Sequence, residues 1–163
     1  MNLWKLVQKL FGRGVKPLAD FDPVRMIQER ERWWGVDFDG TLVDWSLEHF
    51  GQPKVYKLTT GRQFTSIDVL HLLRKKRQII VYSCRVNASQ PEAERAAACS
   101  MMTSWLQKHH APIDAIWGMR FKNGIWEFCA DDVGKPVCAG YWCDLSYRAD
   151  NAGTEQMIKE SAV

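Results

Sequence analysis

Two aspartates, Asp37 and Asp39, stand on either side of a phenylalanine directly before Gly40-Thr41-Leu42. Residues two apart on an extended backbone project to the same side, so both carboxylates can serve one edge. Such a pair can divide labour. One carboxylate binds a hard divalent cation and attacks an electrophile, while the other moves a proton to or from the leaving group. Gly40 lets the backbone turn sharply and approach an anion, and Thr41 adds a hydroxyl. The plainer reading of the same residues is a strand-end turn with a capping aspartate. A second triplet, Asp20-Phe21-Asp22, has the same spacing but lacks an apolar run before it and is followed by Pro23. That copy reads as a helix cap.

The elements that must carry these groups follow from hydrophobic periodicity. Trp33 to Asp39 is a short apolar run ending in acids, a buried strand that leads into a loop. Residues 44–62 lack periodicity and read as loop with a short turn. Phe64 to Leu73 places Ile67, Leu70 and either His71 or Leu73 on one helical side, and Arg74-Lys75-Lys76-Arg77 then reads as a solvated helix end that suits the dipole. Ile79-Ile80-Val81-Tyr82 is a second strand, ending at Ser83-Cys84-Arg85. A long helix is expected over Pro91 to His109, with His109-His110 as its C-terminal cap. Ile113 to Trp117 is a third strand. Asn123-Gly124 between apolar flanks is a hairpin signal, Ala139 to Cys143 a fourth strand, and Thr154 to Glu160 a last helix.

Strands alternating with helices, and strands that are nearly continuously apolar, call for an α/β fold: a doubly wound, mainly parallel sheet with a short β-hairpin insertion. Ligands of such sheets sit outside the carboxyl ends of the strands. Three of the four strands end in polar residues there: Asp37 and Asp39, Ser83, and Asp144. Arg85, two residues past Ser83, can reach the same edge and clamp a phosphate with its planar fork, or it is an exposed loop arginine. Asp131-Asp132 reads as a solvated loop pair.

Composition narrows the classes of function. The chain has 163 residues, 22 basic against 19 acidic, a size that suits one core. Lys5, Lys9, Arg13 and Lys16 fall within the first nineteen residues, which contain no acid. The body is thus near neutral, which argues against a protein that coats nucleic acid through a broad basic surface. Residues 1–32 divide from 33–163 on this basis. Leu3, Leu6, Val7 and Leu10 make a short amphipathic helix, ended by Gly12 and Gly14, and a leading helix runs from Asp22-Pro23 to about Arg32. Residues 1–16 suit docking on the domain or a protein partner, or weak contact with a membrane surface. The five cysteines include no Cys-x-x-Cys pair. With no secretory leader and no transmembrane-length apolar window, the chain is expected to be cytoplasmic.

Val36-Asp37-Phe38-Asp39-Gly40-Thr41-Leu42 resembles the first motif of the haloacid dehalogenase-like phosphatase superfamily. Ile79 to Ser83 resembles its second motif, a strand ending in Ser or Thr. Gly134-Lys135-Pro136 and the strand ending at Asp144 resemble the third and fourth. The likeness spans about residues 33 to 150, with the small, capless or minimally capped architecture. It implies that Asp37 is the nucleophile and forms an aspartyl-phosphate, and that Asp39 protonates the leaving oxygen and later activates water. Ser83 would hydrogen-bond the phosphoryl group, and Lys135 would neutralise charge between it and Asp37. Mg²⁺ would be held by the Asp37 carboxylate, the Asp39 main-chain carbonyl and Asp144. The electrostatics agree, since a carboxylate attacking a phosphoryl group meets like-charge repulsion that a metal and a lysine must offset.

The fourth motif departs from the pattern. Where many relatives carry adjacent acids, this chain reads Trp142-Cys143-Asp144-Leu145, with Asp150 six residues beyond Asp144. The expected activity is therefore a phosphomonoester hydrolase, acting on a phosphorylated small molecule, a nucleotide or a nucleic-acid end. The competing expectation is a catalytically degenerate domain that binds a phosphorylated ligand or a protein partner.

Overall fold

The computed structural model describes residues 28–132, 134–143 and 149–161. The helices expected within residues 1–27, and Asp144 and Leu145, lie outside that set. A short 3-10 turn at Arg30–Arg32 leads into β1, Trp33–Asp37. Then come β2 (Val55–Lys57), β3 (Gln63–Thr65), α1 (Ser66–Arg74), β4 (Gln78–Tyr82), α2 (Glu92–Lys108) and β5 (Ala115–Ile116). The chain continues through β6 (Met119–Lys122), β7 (Ile125–Phe128), β8 (Gly140–Trp142) and α3 (Asn151–Ser161).

The main sheet has the order β5-β4-β1-β8, and every neighbouring pair is parallel. From β1 the chain moves out to β4 and β5 on one side, then returns to β8 on the other. Strand order therefore reverses at β1, which puts the carboxyl end of β1 at a topological switch point. Alternation along the strands sorts the side chains into two faces. Val36, Ile79, Val81, Ile116 and Trp142 share one core with Leu70 and Leu73 of α1, Met102 and Leu106 of α2 and Met157 of α3. Trp33, Ile80, Tyr82, Ala115, Trp117 and Cys143 form a second, smaller cluster on the opposite face.

Among the described residues all three helices thus pack on one face, where the sequence pattern called for helices on both. The cause is the β5 to β8 connection, which carries the β6–β7 hairpin in place of a helix. That hairpin is the one the Asn-Gly signal predicts. Asn123 and Gly124 adopt φ of 52° and 82°, as a two-residue turn between right-twisted strands requires.

Residues 44–62 are more ordered than their lack of periodicity suggests. Val55–Lys57 and Gln63–Thr65 pair antiparallel, so Phe64 is a strand residue. Three-residue strands are too short to show alternation. Helix α1 accordingly starts at Ser66, where Thr65 and Asp68 form a reciprocal capping box, the Thr65 amide donating to Asp68 at 2.8 Å. Thr59 donates to Glu155 at 2.7 Å through its hydroxyl and at 2.9 Å through its amide, tying the β2–β3 turn to α3. Lys159 and these two bonds hold the Glu155 carboxyl down at about 2.

Two charged stretches read as solvated prove to be internal ties. Arg74 donates to the buried Asp114 at 2.8 and 3.2 Å, and Arg77 bonds the carbonyl of Glu31, leaving Lys75 and Lys76 as the exposed members of the run. Asp132 is 1% exposed, accepting from Arg120 at 2.6 and 2.7 Å and from the Gly118 amide at 2.7 Å. Its carbonyl and that of Ala130 take the buried Arg95 of α2. The hydrogen bonds to the Asp132 carboxylate, and its charge, raise the pKa of the Arg120 guanidinium above its ordinary value.

Asp132→Ala removes the carboxylate that the partly buried Arg120 and the Gly118 amide share. We expect a loss of about 3–5 kcal/mol, read as a fall of roughly 10 °C in melting temperature. Asp131→Ala, at an exposed position, should change stability by less than about 0.5 kcal/mol. Equal effects at the two positions would refute the buried tie.

Candidate active site

The carboxyl edge of the sheet is built from the ends of β1, β4 and β8. Asp37 is the last residue of β1 and pairs in register with Tyr82, the last of β4. The ladder continues one step as the Phe38 amide donates to the Tyr82 carbonyl at 2.9 Å. The chain then winds into a tight turn, with the amides of Leu42 and Val43 both donating to the Phe38 carbonyl. Gly40 enters this turn at φ of 73°, a left-handed conformation that explains the glycine.

That turn brings Asp39 to the end of β4. Ser83 Oγ donates to Asp39 Oδ2 at 2.7 Å. Arg85 lies 3.0 Å from Asp39 Oδ1, an ionic contact that is not aligned as a hydrogen bond. Ser83 is also the cap of the 3-10 turn Cys84–Val86, accepting from the Arg85 amide at 3.2 Å. The Ser83-x-Arg85 spacing thus sets a hydroxyl donor and a cation against one carboxylate. The guanidinium is half-exposed and lies 5.5 Å from the Trp45 ring, which limits its swing. Beside it runs an open groove of about 450 Å³, lined by Cys84, Arg85, Gln90, Glu94, Ala97 and Met101.

Thr41 is fully buried and its hydroxyl has no hydrogen-bond partner among the described residues. Its carbonyl accepts from Tyr56 at 2.7 Å, so its contribution to the edge is through the main chain. Lys54 gave no signal in the sequence, yet its ammonium donates to the carbonyls of Gly40 at 2.7 Å and Ala149 at 2.8 Å. It ties the turn after β1 to a residue 95 positions away. No local pattern marks such a partner.

Lys135 arrives at the same edge from the β7–β8 connection. Its Nζ lies 3.8 Å from Cys143 Sγ, at the end of β8, and 3.7 Å from the centre of the Tyr141 ring. The Tyr82 ring is 5.1 Å away. Burial, then Cys143 and the charge of Asp37, push the Tyr82 hydroxyl well above its ordinary value. Burial also pushes Cys138 up to about 12, so it is a thiol at neutral pH.

Asp37, Asp39, Ser83, Arg85 and Lys135 therefore gather at one edge. Asp144 lies outside the described residues. Among the described residues no three His, Cys, Asp or Glu side chains cluster as a metal centre. The hard oxygens of Asp37 and the main chain at Asp39 are donors of the kind Mg²⁺ takes. The Asp39 carboxylate faces Ser83 and Arg85; its carbonyl is the ligand that the resemblance implies. Among the described residues no helix is long and apolar enough to cross a membrane. No protein-family model, curated protein or solved structure matches the chain.

Proposed function

We propose that the chain is a magnesium-dependent phosphohydrolase that cleaves a phosphomonoester through an aspartyl-phosphate. The observation that carries this reading is the meeting of the β1 and β4 ends, where Ser83 and Arg85 both contact the Asp39 carboxylate. A carboxyl group oriented by a hydroxyl, two residues from a second carboxylate at a switch point, suits proton transfer beside a nucleophile, and the guanidinium offsets the negative charge gathered there.

In this reading an Asp37 oxygen bonds to phosphorus as the phosphorus–oxygen bond to the leaving group breaks. Asp39 gives its proton to the departing oxygen. It then takes a proton from the water that attacks the phosphorus, which releases inorganic phosphate and restores Asp37. Ser83 donates its one hydroxyl proton to Asp39 in the free site and would turn it to a phosphoryl oxygen as the phosphate enters, while Arg85 and Lys135 offset the negative charge brought together at the edge. Magnesium, held by Asp37, the Asp39 carbonyl and Asp144, would supply further charge neutralisation. The main-chain turn at Gly40 and Thr41, pinned by Lys54 and Tyr56, keeps the two carboxylates in place. The groove beside Arg85 is open, which suits a leaving group of some size: a nucleoside, a nucleic-acid end or a small metabolite.

The test is phosphate release from an aryl phosphate, nucleoside monophosphates, sugar phosphates and 3′- and 5′-phosphorylated oligonucleotides, with and without Mg²⁺. Magnesium-dependent release is expected. Silence across the panel from folded protein would overturn the reading in favour of a domain that binds phosphorylated ligands without turnover.

A further inference from the structure

Lysine is a flexible point charge, and a lysine that must meet a phosphoryl group needs something to hold its ammonium there. Lys135 belongs to a connection of irregular structure, so its own backbone supplies no such constraint. An aromatic ring supplies it. The Tyr141 ring centre is 3.7 Å from Lys135 Nζ, well inside the ~6 Å reach of a cation–π contact. Tyr82 stands edge-on to Tyr141, with ring centres 6.1 Å apart, and offers a second face.

The ring is itself locked. Its hydroxyl donates to the Pro136 carbonyl at 2.6 Å and accepts from the Cys138 amide at 3.1 Å. Both belong to the segment that carries Lys135, so ring and lysine are tied into one unit. The ring also lies close against β1 at Gly35, its register partner. A Cβ at Gly35 would come within 2.6 and 2.9 Å of ring carbons, so a side chain there would displace it. Gly35 is two residues before Asp37 on the same face of the strand, which fixes the ring relative to the nucleophile.

We propose that Tyr141 is the positioning residue for Lys135, holding its ammonium at the carboxyl edge beside Asp37 where the phosphoryl group enters. The role at the phosphoryl group rests on the hydrolase reading above; the pairing of ring and ammonium does not. Two measurements separate them. In the full chain, the Lys135 ε-methylene protons, assigned by their loss in Lys135→Arg, should resonate upfield in the ring current. That shift should persist in Tyr141→Phe and shrink in Tyr141→Leu to the smaller contribution of the more distant Tyr82 ring.

Tyr141→Leu should also lower kcat/KM for the best substrate by roughly 5- to 30-fold, and this loss should disappear in a Lys135→Met background, because the ring then has no ammonium to hold. A Lys135 signal at the position of the other lysines overturns the proposal, as does an undiminished Tyr141→Leu loss in the Lys135→Met background. Phosphate release indifferent to Tyr141 would overturn the positioning role and leave the hydrolase reading standing. An upfield, Tyr141-dependent signal in a protein that releases no phosphate would support the pairing and overturn the hydrolase reading.

Discussion

Asp37→Asn is expected to lower kcat/KM for phosphomonoester hydrolysis by on the order of 10⁴-fold or more, the scale of losing a covalent nucleophile. The amide is nearly the same shape as the carboxylate, so the strand end keeps its packing. What is lost is the negatively charged oxygen that bonds to phosphorus. Asp37 ends β1 in register with Tyr82 of β4, and the residue before it, Val36, is paired on both sides, with Val81 and Trp142. A change confined to the carboxyl group should therefore leave the melting temperature within a few degrees of wild type. Phosphate release by Asp37→Asn at near wild-type rate would remove Asp37 as nucleophile. Loss of activity with a collapse in melting temperature would show a structural role instead.

Asp39→Asn should reduce turnover by on the order of 10² to 10⁴, the usual range for a general acid–base group. The substrate dependence carries more information than the size. A general acid matters most when the leaving oxygen departs as an unstable alkoxide, so alkyl phosphates and nucleotides should suffer the full loss. An aryl phosphate whose leaving group is stable as an anion should lose much less in the first step. The variant should then accumulate phosphorylated Asp37, because water activation remains impaired. The asparagine carbonyl can still accept from Ser83, now at 2.7 Å from Asp39 Oδ2, but the charge that faces Arg85 is gone. A first-step burst that falls uniformly across all leaving groups would instead assign Asp39 an orienting role through Arg85 and Ser83.

Much of this architecture is legible in the residues because it depends on local chemistry. The β-branched run Ile79-Ile80-Val81 has few options except a buried strand, and Asn123-Gly124 adopts the left-handed dihedrals that a tight hairpin needs. Asp37 and Ser83 are strand ends because polar residues terminate apolar runs. Other local signals are present but easily passed over. The Thr65-Ser66-Ile67-Asp68 box marks the start of α1, and the Ser83-x-Arg85 spacing places both groups on one short turn.

Tertiary structure alone decides who meets whom. Strand order puts β1 between β4 and β8, and only that order brings Asp39 to Ser83, 44 residues away. The lysine at position 54 is unremarkable in sequence until folding sets it between the carbonyls of Gly40 and Ala149. Asp132 and Arg74 read as solvated because charge in a loop or at a helix end usually is, yet Arg74 meets the buried Asp114 and Asp132 is itself buried against Arg120, each partner supplied by another element. The ring beneath Lys135 depends on a glycine in a strand more than a hundred positions away in sequence. Periodicity and turn chemistry are set by forces within a few residues, so a sequence states them directly. Ion pairs, close approaches and shared edges are set by packing between distant segments, whose closure has no local signature.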